Sequence, residues 1–204
     1  MYIPPVFRVE DRSVLYDFLE RFSFATLVSV LDGVPFATHL PLLLDREGHR
    51  LLGHMARANP HWRGFPGGAE ALVIFQGPHA YVSPSWYVVT PAVPTWNYTA
   101  VHVYGVPRLI EEGNATSEVL DRMVAWYESA RERPWPNDLP EDFRVKHLRA
   151  IVAFEVPITR IEGKFKLSQN RGVEDRRQVV RHLGAGDAES RAVAKLMEDH
   201  SLPE

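Results

Sequence analysis

An antiparallel β-barrel with α-helical additions, a mainly β fold with peripheral helices, is the class that this 204-residue chain predicts. Three observations carry that prediction. Six or so segments have the period-two patterning or β-branched and aromatic content of strands. The first of them are joined by hairpin turn signals. Apolar stripes at helical spacing fall only at the start, between two later strands and at the C-terminus. With 45% apolar and 24% charged residues the chain is too apolar for disorder and has the makings of a packed core.

The first helix spans Asp11 to Phe22, where Val14, Leu15, Phe18, Leu19 and Phe22 recur at helical spacing. Asp11 is placed to cap it, because its carboxylate can accept from an early free N–H. Thr26 to Leu31 is strand-like, and Asp32-Gly33 signals a hairpin, since such turns need positive φ values that glycine adopts cheaply. Val34 to Leu44 reads as a second strand in which Pro35 and Pro41 require an edge position or a bulge. A turn at Arg46-Glu47-Gly48 leads to a third strand, Leu51 to Ala56. Further strands are expected at Ala71 to Gln76, Tyr98 to Glu112 and Ile151 to Ile161. A helix from Thr116 to Glu132 lies between the last two. The linker from Arg133 to Pro140 cannot be helical, because its prolines lack the N–H and block the preceding turn. Two C-terminal helices, Val173 to Leu183 and Ala188 to His200, flank Gly184-Ala185-Gly186. The domain reading is a barrel over residues 1–172 with a helical extension, 173–204, packed on it.

From Ala71 to Pro107 there is no Asp, Glu, Lys or Arg, yet the stretch holds Phe75, Tyr81, Trp86, Tyr87, Trp96, Tyr98 and Tyr104. Five prolines and two histidines exclude a membrane span. The segment is either a core strand pair with a buried loop or a Trp- and Tyr-rich interface between two copies, with a flat aromatic ligand at its edge.

Three motifs bear chemistry. In Gly53-His54-Met55-Ala56-Arg57-Ala58-Asn59-Pro60-His61-Trp62 a strand end runs into a short helix. Free N–H groups there, with the Arg57 guanidinium and the Asn59 amide, make a phosphate cradle. Alternation puts His54 and Ala56 on one face and Met55 and Arg57 on the other. The alternative for His54 and His61 is a packing histidine. In Gly163-Lys164-Phe165-Lys166-Leu167-Ser168-Gln169-Asn170-Arg171, Lys164, Lys166 and Ser168 share one face and Phe165 and Leu167 the core face. That basic row either holds an anion or is a solvated edge guarded by lysines. The third motif, Gln76 to Tyr87 followed by Val93 to Tyr98, uses prolines to fix turns that present Ser, Trp and Asn side chains.

Together, Met1-Tyr2-Ile3-Pro4, His54 to Trp62, Gln76 to Tyr87, Pro94-Thr95-Trp96-Asn97-Tyr98 and Lys164 to Asn170 closely resemble the PaiB family, described as FMN-binding negative transcriptional regulators. The resemblance covers nearly the whole chain. It implies the antiparallel split β-barrel of the FMN-binding type, shared with pyridoxamine 5′-phosphate oxidase, and a homodimer with flavin at the subunit interface. Carried onto this sequence, it places Thr38 and His39 near the flavin ring, and His54, Arg57 and Asn59 near the ribityl phosphate. Trp96 and Asn97 would come from the partner subunit. The oxidase's Arg-x-x-x-Leu-Lys phosphate motif is not evident between Phe36 and Leu44, so Lys164 and Lys166 are the compensating cations.

The implied function is negative regulation of transcription by an FMN-binding protein. The alternatives are a flavin-dependent oxidoreductase or haem-handling protein on the same fold, and a flavin-free dimeric barrel. With no cysteine the chain can form no disulfide, iron–sulfur cluster or thiol nucleophile, and no metal is expected. A net charge of −3 gives no global basic field for DNA, and Arg176, Arg177 and Arg181 form only a small cluster. The N-terminus has neither a basic nor an apolar signal region, and no apolar run reaches a membrane span. A cytoplasmic location is the expectation.

Overall fold

The computed structural model describes residues 1–111 and 113–202. Among the described residues ten strands and five α-helices follow one another: β1 (Arg8–Val9), α1 (Arg12–Arg21), β2 (Phe24–Leu31), β3 (Val34–Pro41), β4 (Leu43–Asp45), β5 (Arg50–Ala56), β6 (Ala71–Val82), β7 (Thr95–Gly105), β8 (Arg108–Ile110), α2 (Gly113–Glu128), α3 (Glu141–Arg149), β9 (Ile151–Pro157), β10 (Arg160–Lys166), α4 (Val173–Gly184) and α5 (Ala188–Ser201). The chain divides into two compact units.

One unit comprises Leu19–Phe75 and Val103–Ile161. In it β6, β2 and β3 lie side by side, and β4, β5, β9 and β8 form a four-stranded sheet in that order. The β2–β3 hairpin is in register from Leu31↔Val34 to Phe24↔Pro41. It turns at Asp32 and Gly33, both with positive φ (52° and 79°), as the Asp-Gly signal requires. β3 is the edge strand, the place where Pro35 and Pro41 cost no ladder bond. The chain breaks at Leu42 and restarts as β4, so the expected second strand is two. β8 is likewise separated from β7 by Val106-Pro107. α2 lays Val119 and Met123 on Leu43 and Leu52, with Ile110 beside them.

The other unit comprises Met1–Phe18, Gln76–His102 and the chain from Glu162 onward. β1, β10, β7 and β6 are neighbours in that order. Asp11 caps α1, its Oδ1 accepting from the N–H of Ser13 at 2.8 Å and of Val14 at 3.3 Å. Phe18 meets Phe165 with ring centroids 5.3 Å apart. α4 and α5 pack on each other through Val179, Leu183, Val193 and Met197, all buried. Asp175 of α4 accepts from the N–H of Val88 at 2.7 Å and ties the loop after Tyr87 to the helix. Two expectations need correction: Ile151 to Ile161 is not one strand but falls in two consecutive strands of different sheets, β9 and β10, and α3, within a stretch that had no predicted element, is a helix. No helix of the described residues is long and apolar enough to cross a membrane.

Candidate functional site

In the unit built on β2–β3, the edge strand alternates Phe36, Thr38 and Leu40 inward against Ala37 and His39 outward. His39 is exposed and its Nδ1 lies 2.9 Å from the Thr26 hydroxyl, its partner across the ladder. Thr38 reaches a buried polar cluster. His61 is completely buried, with Nδ1 2.8 Å from the Thr38 hydroxyl and Nε2 2.8 Å from the Ser29 hydroxyl. Its ring lies between Phe36, at 4.9 Å, and Phe65, at 5.7 Å. Asn59 completes the cluster, donating to the Thr38 hydroxyl at 3.1 Å and accepting from the His61 N–H at 3.0 Å. That second bond caps the 3-10 helix Pro60–Gly67, which explains why Asn-Pro-His brings the histidine inward. A neutral imidazole has one donor and one acceptor. One of the two hydroxyls therefore donates to His61 and the other accepts from it.

His54, on β5, is half-buried and its Nδ1 has no hydrogen-bond partner. Arg57 follows the last residue of β5. Its Nε donates to the Arg149 carbonyl at 2.8 Å and its Nη2 to the Ile151 carbonyl at 2.7 Å. The guanidinium thus closes the α3–β9 junction, with its remaining N–H groups directed elsewhere. Met55 is buried as alternation predicts, and Arg57 is exposed.

Trp96, Asn97, Lys164 and Lys166 belong to the other unit. β7 puts Trp96 and Asn97 on opposite faces. Trp96 is 53% exposed and meets the Tyr81 ring edge-on at 5.9 Å. Asn97 is fully buried, donating to Ser168 at 2.9 Å and to the Met197 sulfur at 3.3 Å. Lys164 is buried too, between the rings of Tyr2 (5.6 Å) and Tyr98 (5.1 Å), and donates to the Tyr2 carbonyl at 3.2 Å. Lys166 donates at 2.5 Å to both the Thr95 hydroxyl and the Trp96 carbonyl. Burial, and then the neighbouring charges of Lys164 and Arg171, push its ammonium below the ordinary lysine value. Phe165 and Leu167 face the core as the pattern requires, but the basic row opposite them is half-buried to buried. His61 and Ser29 in the first unit and Tyr87 in the second are further polar residues beyond the expected site residues. His61 had a sequence signal in the Asn-Pro-His turn and Tyr87 in the Gln76 to Tyr87 motif; Ser29 had none.

Burial pushes the imidazoles of His54, His61 and His102 below the ordinary histidine value. Between those depressed values and about 6.5, the unfolded chain binds protons that the folded chain does not. The resulting stability is complete above pH about 6.5 and is lost as pH falls below it. Each histidine steepens the loss by at most about 1.4 kcal/mol per pH unit. Urea unfolding from pH 8 to 5 should show a plateau and then a decline. A flat profile would mean that these rings are not buried neutral.

A flavin mononucleotide needs hydrogen-bonding groups along its ring edge and donors for a dianionic phosphate. The structure supplies both kinds. The Thr38 hydroxyl and the exposed His39 imidazole of β3 suit the first. In the same unit the unpartnered Nδ1 of His54, the Asn59 amide and the exposed Arg57 guanidinium suit the second; Lys166, in the other unit, keeps one N–H after its two bonds. The residues fit the group.

Comparison with known proteins agrees. Residues 1–160 match the family described as "Putative FMN-binding domain". Over 98% of its length the chain is 39% identical to the protease synthase and sporulation protein PAI 2 of Bacillus subtilis (strain 168), covering 97% of that protein. Among solved structures it is similar to the flavocytochrome Anf3 of Azotobacter vinelandii, with TM-score 0.60 and 18% identity over 78% of this chain and 69% of that one. A FAD- and haem-binding protein of Mycobacterium smegmatis gives TM-score 0.59 and 21% identity over 78% and 73%. These likenesses give the fold, an antiparallel split β-barrel with helices. The chain belongs to the PaiB family of FMN-binding proteins, and FMN is its cofactor.

Proposed function

We infer that this protein is an FMN-binding negative regulator of transcription that acts as a cytoplasmic homodimer. The observation that carries the reading is the near full-length relation to the Bacillus protein, together with side chains that fit a flavin. In this reading the barrel is residues 1–172 and the helical extension 173–204. Thr38 and His39 lie along the flavin ring, and His54, Arg57 and Asn59 toward the ribityl phosphate. Trp96 faces the site from the second copy, Asn97 on the opposite face of β7 anchors that strand to Ser168, and Lys164 and Lys166 add positive charge. Bound FMN supplies the signal, and the protein's own residues hold and orient it.

A surface for the second copy is available within Gln76–His102. Tyr81, Val88, Val89, Val93 and Trp96 are each between 47% and 68% exposed, in a stretch without a charged side chain. Replacing Trp96 with Ala should weaken the dimer by about 2 kcal/mol, roughly thirtyfold, which sedimentation equilibrium would read. A wild-type monomer at micromolar concentration would remove the dimer from the reading.

Regulation through a metabolite or protein partner is favoured over direct DNA contact. Arg176 is engaged with the Ser201 carbonyl and Arg177 lies 3.9 Å from Glu174, so α4 offers only a small basic cluster on a chain of net charge −3. The test is a flavin titration of the purified protein followed by absorbance, with reporter transcription measured in cells carrying and lacking it. Absence of FMN binding would defeat the reading. Unchanged transcription would defeat its regulatory half.

A further inference from the structure

A small pocket of about 140 Å³ opens beside β7 and the turn after β10, lined by Tyr87, Thr95, Lys166, Ser168 and Arg171 among others. It lies wholly within the unit formed by Met1–Phe18, Gln76–His102 and the chain from Glu162 onward. The turn that shapes it is tightly specified. Ser168 takes a left-handed φ of 64°, and the Arg171 N–H bonds back to the Ser168 carbonyl at 2.9 Å. Gln169 clamps the same turn, accepting from the Leu167 N–H at 2.7 Å and donating to the Phe165 carbonyl at 2.6 Å. Arg171 is folded over the Tyr87 ring, 4.3 Å from its centroid, and Lys166 lies on the same wall.

Three features of this pocket need a partner. Tyr87 is 93% buried and its hydroxyl has no hydrogen-bond partner. Such a group costs about 1–3 kcal/mol unless something accepts its proton. Two cations share the pocket, and among the described residues that line it there is no carboxylate. The volume is well below the roughly 300–1,000 Å³ of pockets that enclose a drug-sized molecule. It amounts to a few waters at about 30 Å³ each, the scale of one tetrahedral or planar oxyanion.

We propose that this pocket is an oxyanion site, in which Lys166, Arg171 and the Tyr87 hydroxyl donate to a phosphate-like group. Thr95 and Ser168 are the neutral hydroxyls at its wall. The occupant's chemistry is shared by free phosphate and by the phosphoryl end of a larger ligand, FMN included. The site does not depend on where the flavin ring lies, because its probe is inorganic phosphate.

Isothermal titration of the full chain with inorganic phosphate should show saturable binding. Lys166→Met and Arg171→Met should each weaken it at least tenfold. Tyr87→Phe keeps the ring under Arg171 and removes only the hydroxyl, so it should weaken binding three- to tenfold with an unchanged melting temperature. Lys146→Met, an exposed cation on α3, should leave it unchanged. Displacement of phosphate by FMN and not by riboflavin would identify the flavin's own phosphate as the occupant. Phosphate binding that persists under saturating FMN would identify a separate small anion. Absence of saturable binding, or an equal loss in the Lys146 variant, would overturn the proposal. FMN binding with no phosphate binding would overturn it while leaving the flavin reading intact.

Discussion

Replacing Phe154 with Ala should destabilise the protein by about 3–5 kcal/mol, the range for truncating a fully buried aromatic. Phe154 is completely inaccessible, in the middle of β9, where it pairs with Gly53 on β5 and Leu109 on β8. Its ring lies 5.3 Å from that of Phe65. Gly53 is the reason so large a ring fits there: a Cβ on that glycine would come within 3.1 Å of the Phe154 ring and 2.5 Å of Leu42. Truncation leaves a hole whose walls are two sheet strands and a 3-10 helix held by its own cap, so collapse is restricted. The effect should extend to the ligand. Phe65 supports one side of His61, so loosening it releases the imidazole that holds Thr38. Urea unfolding would read the first effect and FMN titration the second. A cost below about 1.5 kcal/mol would mean that Phe65 and Leu42 fill the space.

The elements that sequence reading located are those whose signal is local. α1 announces itself by an apolar stripe behind an Asp cap, and the β2–β3 hairpin by Asp-Gly. α3 has no such stripe. Nothing in it is buried, and it rests on Glu141 and Asp142 at its start and Lys146, His147 and Arg149 at its end, charges that complement the helix dipole. A search for hydrophobic period passes over such a helix. The division of Ile151 to Ile161 into β9 and β10 was hidden for a different reason. The break is fixed by bonds from Ile158 N–H to the His49 carbonyl and from Thr159 N–H to the Tyr104 carbonyl, partners far away in sequence. The same distinction governs the candidate site. The motifs around Arg57, Trp96 and Lys164 are legible as residue strings. That Ser29, Thr38 and Asn59 converge on His61 is not, since 32 residues separate the first of them from the histidine. Alternation foretold opposite faces for neighbours such as Trp96 and Asn97, but not the buried amide–hydroxyl pair that Asn97 forms with Ser168.

His61→Phe should cost about 2–4 kcal/mol of stability and about tenfold in FMN affinity. The substitution keeps a ring between Phe36 and Phe65, so packing changes little. What it removes is a bond from each of two half-buried hydroxyls, at about 1–3 kcal/mol for Ser29 and at the low end of that range for Thr38, which keeps its bond from Asn59. The effect on ligand follows from the proposed placement of Thr38 beside the flavin ring. Its hydroxyl is now oriented from two directions, by His61 and by the Asn59 amide. With one anchor gone it must be reoriented each time the flavin binds, and about 1.4 kcal/mol of that cost is the tenfold loss. Because the contact concerns the ring, riboflavin should lose affinity as much as FMN does. Thr38→Val should reproduce the ligand effect with a smaller loss of stability. If His61→Phe is destabilised yet binds FMN within twofold of the parent, the cluster serves the fold alone and the flavin ring lies away from Thr38.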